Sequence, residues 1–373
     1  MTDKENTQTK TTALYPEHKR LDAKIVDFAG WSMPMQYSGI LDEVRAVRSN
    51  AGLFDISHMG EIRVNGPDAI PFCNYLLTNN IETMKFGEVC YTMLCNNQGG
   101  VIDDLLAYKI RKDEILLVVN ASNASKCFAW IQSQTQGFVV HVEDASNAFA
   151  QIALQGPNSQ SLLESVSGVE LEAIDFYSFA IGRINGIECI VSRTGYTGED
   201  GFEFYLHPDA AKPLWRKLIE LGAKPAGLGA RDLLRFEACY MLYGHELDEQ
   251  TTPLEAGLSW TVDLAKPFIG HSALKQQKEE GVSKRLKGLQ TLEKGGIPRQ
   301  GNPVIVKGKK VGHVTSGNQS PSVGENLAMA YLPKDIKIGA EVDISIRENK
   351  TVPAKVIKMP FYRGSVRTKK KSP

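Results

Sequence analysis

Residues 91–110 read YTMLCNNQGGVIDDLLAYKI. Two apolar runs flank Asn96-Asn97-Gln98-Gly99-Gly100, whose asparagines and glycines supply the positive φ that a hairpin loop needs. The stretch is therefore predicted as two antiparallel strands. In the second, Val101 and Ile102 are followed by two adjacent carboxylates, Asp103 and Asp104, and then by Leu105, Leu106 and Ala107. Side chains alternate across a strand, so the two acids must point to opposite faces. If both faces are covered, at least one carboxylate is buried, which is unfavourable without a partner. The alternative is that one Asp caps the hairpin while the other lies at a solvated edge.

A second stretch of similar character is SRTGYTGEDGFEF, residues 192–204. Its G-x-x-G-x-x-G spacing could present backbone amides to a phosphate, but a strand follows the loop instead of a helix N-terminus. The other reading is a glycine-rich hairpin with charged, solvated tips such as Glu199. Glu203 lies between Phe202 and Phe204, on the face opposite the two aromatics. A carboxylate held there suits a flat heterocycle carrying adjacent ring N–H and amino donors, because charge-assisted bidentate pairs are strong and directional. Further on, GLGARDLLRFEACY, residues 227–240, begins a helix. Arg231 falls in its first turn, where the macrodipole disfavours a cation, so a salt bridge or an anionic ligand should compensate. Arg231, Arg235 and Glu237 could equally form a structural ion network. Tyr91, Tyr196 and Tyr240 could stack on a planar ligand or simply be buried.

The rest of the chain surrounds these stretches with mixed elements. After an irregular opening from Tyr15, a helix is expected over 39–49, with Ile40, Leu41, Val44 and Val47 on one face. Strands follow at 53–57 and 61–65, then a helix begun by Pro67-Asp68, a strand at 114–119, a helix at 122–133 and a strand at 138–142. From Ala150 come a strand, a helix at 158–166, strands at 177–183, 188–193 and 201–207, and helices at 210–221 and 230–242. Helices set among hairpin-linked strands indicate α+β layers and not a doubly wound parallel sheet. Residues 275–281 read as an exposed helix end and linker. Beyond Lys284 short strands dominate, with hairpins at 306–311 and 346–352, which suggests a small β-barrel.

With 373 residues, two or three domains are expected. Basic and acidic residues balance at 43 each, which argues against bulk binding to nucleic acid or to an anionic membrane. The six cysteines lie mostly in apolar segments without a CxxC pair, as buried thiols in a reducing compartment do. The histidines are scattered and no ligand spacing suggests a metal. The polar N-terminal segment reads as neither a secretory signal nor a transit peptide, no run is long enough to span a membrane, and a cytoplasmic setting is expected. The basic Lys369-Lys370-Lys371 tail reads as a frayed terminus.

Ten ordered blocks carry a resemblance: DFAGWSMPMQY, GLFDISHMGEI, NQGGVIDDLLAYK, LVVNASN, LQGPNSQ, SRTGYTGEDGFE, PAGLGARDLLRFEACYMLYGHELDE, GLSWTV, TSGNQSPS and PFYRGSVR. Over about residues 14–367 the chain resembles the glycine cleavage T-protein family, tetrahydrofolate-dependent aminomethyltransferases. The folate domains of dimethylglycine- and sarcosine-oxidising enzymes and a folate-binding iron–sulfur assembly protein share this framework. The resemblance implies a three-domain cloverleaf. A discontinuous folate-binding α+β domain would span 14–56 and 146–270, an inserted α+β domain 57–145, and a C-terminal β-barrel 282–367, with Asp104 and Glu203 neighbours in space. It implies that Asp104 is catalytic and that Glu203 grips the pterin. Tyr91, Tyr196, Asn120, Met59 and Tyr240 would line the folate pocket, and Arg231 and Arg363 would contact folate. The implied reaction takes the aminomethyl group from the dihydrolipoyl arm of H-protein, releases ammonia and forms 5,10-methylenetetrahydrofolate. Cationic character develops at the transferred carbon, which a nearby carboxylate can stabilise while orienting the nucleophile or taking a proton. The implied partners are lipoylated H-protein and tetrahydrofolate. The alternative function is a non-catalytic folate-binding protein of the same superfamily.

Overall fold

The computed structural model describes residues 9–293, 295–348 and 350–366. The beginning of the polar N-terminal segment and the Lys369-Lys370-Lys371 tail lie outside the described residues. The chain divides into two compact units. The first takes the segments up to Met59, Ser146–Asp232 and from Ser365 onward; the second takes Gly60–Ala145 and Leu233–Gly364.

The first unit is built on a six-stranded sheet in the order Phe179–Ile184, Ile187–Ser192, Gly201–Leu206, Ala150–Gln155, Gly52–Asp55 and Lys224–Pro225. All pairs are antiparallel except the last, which is parallel. One face packs against the amphipathic helix Pro208–Glu220, and Leu53, Ile152, Leu154, Phe202, Phe204, Leu214 and Trp215 form the core between them. Phe202 and Phe204 thus point into the core, and period-2 alternation sends Glu203 to the other face. The opening that reads as irregular is ordered: helix Tyr15–Arg20 precedes a hairpin of Lys24–Phe28 and Trp31–Gln36. Its turn is Ala29-Gly30, both at positive φ. Alanine seldom occupies such a position, so the usual hairpin signature is missing there.

In the second unit a five-stranded antiparallel sheet runs Val89–Cys95, Val101–Arg111, Glu114–Val119, Gly60–Asn65, His141–Asp144. Helices Ala69–Leu76 and Ala124–Ser133 supply Phe72, Leu76, Cys127 and Ile131 to a core shared with Leu94, Leu105, Ala107 and Leu117. The last strand begins at His141, later than expected, because Val139 N–H is taken by the Asp68 carboxylate. Six further strands close into a barrel: Lys284–Thr291, Asn326–Pro333, Lys309–Gln319, Pro303–Val306, Glu341–Arg347 and Lys350–Ile357. Closure through the first and last removes the open sheet edges. The fold is therefore α+β sheet layers with a C-terminal closed β-barrel.

Two helices are shorter than their periodicity suggests. Ser159–Leu163 stops three residues early, and Leu228–Glu237 ends five residues before Leu242. In the second case Cys239 adopts φ +56° and Arg235 turns its guanidinium onto the Tyr240 carbonyl and the Glu246 carboxylate. No Gly or Pro marks this stop, so apolar periodicity runs on through it. Among the described residues no helix is long and apolar enough to cross a membrane. All six cysteines are free, and only Cys90 is less than buried.

Candidate active site

The hairpin that carries Asp103 and Asp104 is closed by Asn96. Its backbone pairs with Gly99 and Gly100, and its side-chain oxygen accepts the N–H groups of Gln98 and Gly100. Gly100 must be glycine, because a Cβ there would lie 1.9 Å from the Glu249 carbonyl. Neither Asp caps this turn. Strand Val101–Arg111 is flanked on both sides by partners, so it is no edge either.

Asp103 lies on the core-facing side and is fully buried. Its oxygens accept Asn120 N–H (2.9 Å), Asn120 Nδ2 (2.9 Å) and Asn123 Nδ2 (2.6 Å), with Cys127 Sγ at 3.6 Å. It is an anchor that pins the turn after strand Glu114–Val119. Asp104 points to the opposite face and is half-buried. There Tyr91 Oη donates to Oδ2 (2.7 Å) and Asn120 Nδ2 to Oδ1 (3.0 Å). Burial raises both carboxyls above the usual range, each against its hydrogen bonds, and Asp104 adds like-charge repulsion at Asp103. Asn120 thus bridges the buried anchor and the outward carboxylate.

A second cluster belongs to the first unit. Glu203, in the interior strand Gly201–Leu206, is buried, and Thr194 Oγ1 donates to its Oε2 at 2.5 Å. Thr194 is itself bonded to Ser192 (2.9 Å). Oε1 has no hydrogen-bond partner among the described residues. Burial raises the Glu203 pKa, while Thr194 and the positive charge of Arg231 pull it down. The Arg231 guanidinium stands over the Tyr196 ring, 4.7 Å from its centroid. Arg231 has no ion pair or hydrogen bond from its side chain among the described residues. Arg235 and Glu237, by contrast, are occupied: Arg235 pairs with Glu246 (2.9 Å), and Glu237 accepts from Ser320 and Ser322. Arg235 and Glu237 are thus held by structural pairings, whereas Arg231 meets the Tyr196 ring and the charge of Glu203.

The loop before Glu203 is a packed hairpin connection. Gln155 bridges it by donating to the Thr194 carbonyl and accepting from Thr197, and a Cβ at Gly195 would strike the Gln155 side chain. Glu199 corrects its expected place at a solvated tip. It is buried, pairs with Arg48 at 2.8 Å and accepts both N–H and Oγ of Ser365.

The structure thus brings Asp104, Tyr91 and Asn120 together in one cluster, and Glu203, Tyr196 and Arg231 in another. Met59 is half-buried after strand Gly52–Asp55, Tyr240 is half-buried beyond the helix end, and Arg363 is exposed. Several participants carried no local signal. Asn123 and Thr194 matter only through partners distant in sequence or across a turn. His58 is buried, its Nδ1 has no hydrogen-bond partner among the described residues, and it lies beside Phe28 and under the influence of Arg231, with burial pressing its pKa down to about 4. Its imidazole is neutral at pH 7.

A partly satisfied buried carboxylate beside a cation and a tyrosine ring is fitted to a flat, polar heterocycle: it offers an acceptor, a charge and a π face. The Asp104 cluster offers a half-buried carboxylate oriented by two donors, suited to stabilising positive charge.

Comparison with known proteins adds the following. Residues 14–266 match the family profile described as the GCVT N-terminal domain, and residues 284–363 match the glycine cleavage T-protein C-terminal barrel domain. A protein of Thermosipho melanesiensis named aminomethyltransferase is 51% identical over 363 residues, covering 97% of this chain and 99% of that relative. One of Desulfitobacterium hafniense with the same name is 47% identical, covering 96% and 99%. The crystal structure of glycine cleavage system aminomethyltransferase T from Bartonella henselae superposes with a TM-score of 0.89 at 35% identity, covering 96% of this chain and 99% of that one.

Proposed function

The chain belongs to the glycine cleavage T-protein family of aminomethyltransferases, and from that premise we propose that it transfers the aminomethyl-borne carbon of dihydrolipoyl H-protein to tetrahydrofolate, releasing ammonia and 5,10-methylenetetrahydrofolate. The observation that carries this reading is Glu203, a buried carboxylate with one oxygen held by Thr194 and the other without a partner among the described residues. A pterin ring presents adjacent N–H and amino donors, which such a carboxylate accepts together. Arg231 and Tyr196 serve the same ligand as cation and ring surface, and Met59, Tyr240 and Arg363 are proposed as further folate contacts. Asp104 stabilises the cationic carbon during transfer, with Tyr91 and Asn120 fixing its two oxygens.

The competing reading is a folate-binding protein without transferase activity. Purified protein, incubated with aminomethyl-loaded H-protein and tetrahydrofolate, is expected to produce ammonia and 5,10-methylenetetrahydrofolate in equal amounts. Folate binding without either product would leave only the binding reading.

A further inference from the structure

Trp260 sits in the short 3-10 turn Ser259–Thr261 with 61% of its surface exposed. The turn is nevertheless firmly held. Thr78 Oγ1 donates to the Thr261 carbonyl at 2.8 Å, and Asp263 N–H donates to the Thr78 carbonyl at 2.9 Å. Thr78 also reaches the strand that carries Tyr91: its N–H bonds the Met93 carbonyl (3.1 Å), and Met93 N–H bonds its hydroxyl (3.2 Å). One threonine thus clamps the turn to the strand. The clamp sets the Trp260 indole 5.8 Å from the Tyr91 ring, at 35° to it. Within this separation, tilted or offset rings attract. The far end of the same Tyr91 ring donates its hydroxyl to Asp104 at 2.7 Å.

We propose that Trp260 is a positioning residue for Asp104, acting through Tyr91: the indole fixes the phenol ring so that its hydroxyl stays on the Asp104 carboxylate. An exposed tryptophan contributes little to the core, yet this one stands one ring away from the carboxylate assigned to the chemistry. Removing it takes away this ring contact and loosens the hydrogen bond that favours ionised Asp104. The other groups acting on Asp104 (Asp103, Asn120 and Glu246) remain in place.

The importance of Trp260 for turnover rests on the proposed role of Asp104, but its effect on Asp104 can be read without activity. Carboxyl-carbon NMR of aspartate-labelled protein, with the Asp104 signal identified by its absence in Asp104→Asn, gives the Asp104 titration directly. Tyr91→Phe and Trp260→Ala should each tighten proton binding at Asp104 by about threefold, as expected when a hydrogen bond to the charged form is lost. Trp260→Phe, which keeps a ring, should restore wild-type titration, and Trp260→Ala should add nothing in the Tyr91→Phe background. Turnover at saturating folate should fall in Trp260→Ala. The inference is overturned if Asp104 titrates normally in Trp260→Ala while Tyr91→Phe shifts it, or if the two changes add. A normal turnover of Asp104→Asn would instead sink the functional reading, and the titration would still judge Trp260.

Discussion

At the scale of single residues, the two assigned carboxylates sit where burial opposes their charge. Glu203 has a pKa raised above its ordinary value, with burial the largest cause. A carboxyl whose folded pKa exceeds its unfolded one contributes its full stability below the unfolded pKa and loses it as pH rises through the folded pKa. Charged Glu203 therefore weakens the apoprotein at neutral pH. Glu203→Gln should raise the unfolding temperature at pH 7, and the gain should shrink as pH falls towards 4.5, the ordinary value of a glutamate. The same change should weaken tetrahydrofolate binding by about 2–4 kcal/mol, roughly 30- to 1000-fold, because an NH₂ donor then faces a donor of the ring. Calorimetric titration and thermal unfolding check the two halves; unchanged affinity would remove Glu203 as the pterin anchor. Glu199→Gln serves as the contrast. From sequence this acid reads as a solvated charge with little to lose. Its pairing with Arg48 and Ser365 means that the substitution should lower stability, and its effect on folate affinity should be much the smaller of the two.

At the scale of elements, helix Leu228–Glu237 holds two arginines with different tasks. Arg235 is buried and paired with Glu246, a partner the helix end is built around. Arg231, in the first turn, has no such partner among the described residues and faces the unfavourable end of the helix dipole. An anionic or polar ligand relieves both deficits. Arg231→Ala should therefore weaken folate binding by about tenfold or more while leaving turnover at saturating folate and the unfolding temperature nearly unchanged. Lost thermal stability with unchanged affinity would make Arg231 a structural residue. The elements themselves were largely legible where periodicity and turn chemistry agree, as in the Asn96–Gly100 hairpin and strands 114–119 and 201–206. They were not legible where backbone conformation escapes residue type. Ala29 and Cys239 adopt left-handed φ, the first turning an unforeseen hairpin and the second stopping a helix that its apolar pattern would continue.

At the scale of the molecule, the α+β layers and the closing barrel follow from the order of elements. The sites are a harder matter, because each is completed by residues far apart in sequence. Alternation alone places Asp103 and Asp104 on opposite faces, but only Asn120 and Asn123, folded back from the next connection, show that Asp103 is the anchor and Asp104 the outward group. The pair therefore makes a crossed test possible. Asp103→Asn sets an NH₂ against donors in the core and should register first as lost stability. Asp104→Asn keeps shape and should spare the fold. The most direct measurement is single-turnover ammonia release by Asp104→Asn from aminomethyl-loaded H-protein at saturating tetrahydrofolate. The rate should fall by roughly 10²-fold or more with folate affinity largely intact; a rate close to wild type would contradict the assignment of Asp104 to the transfer step.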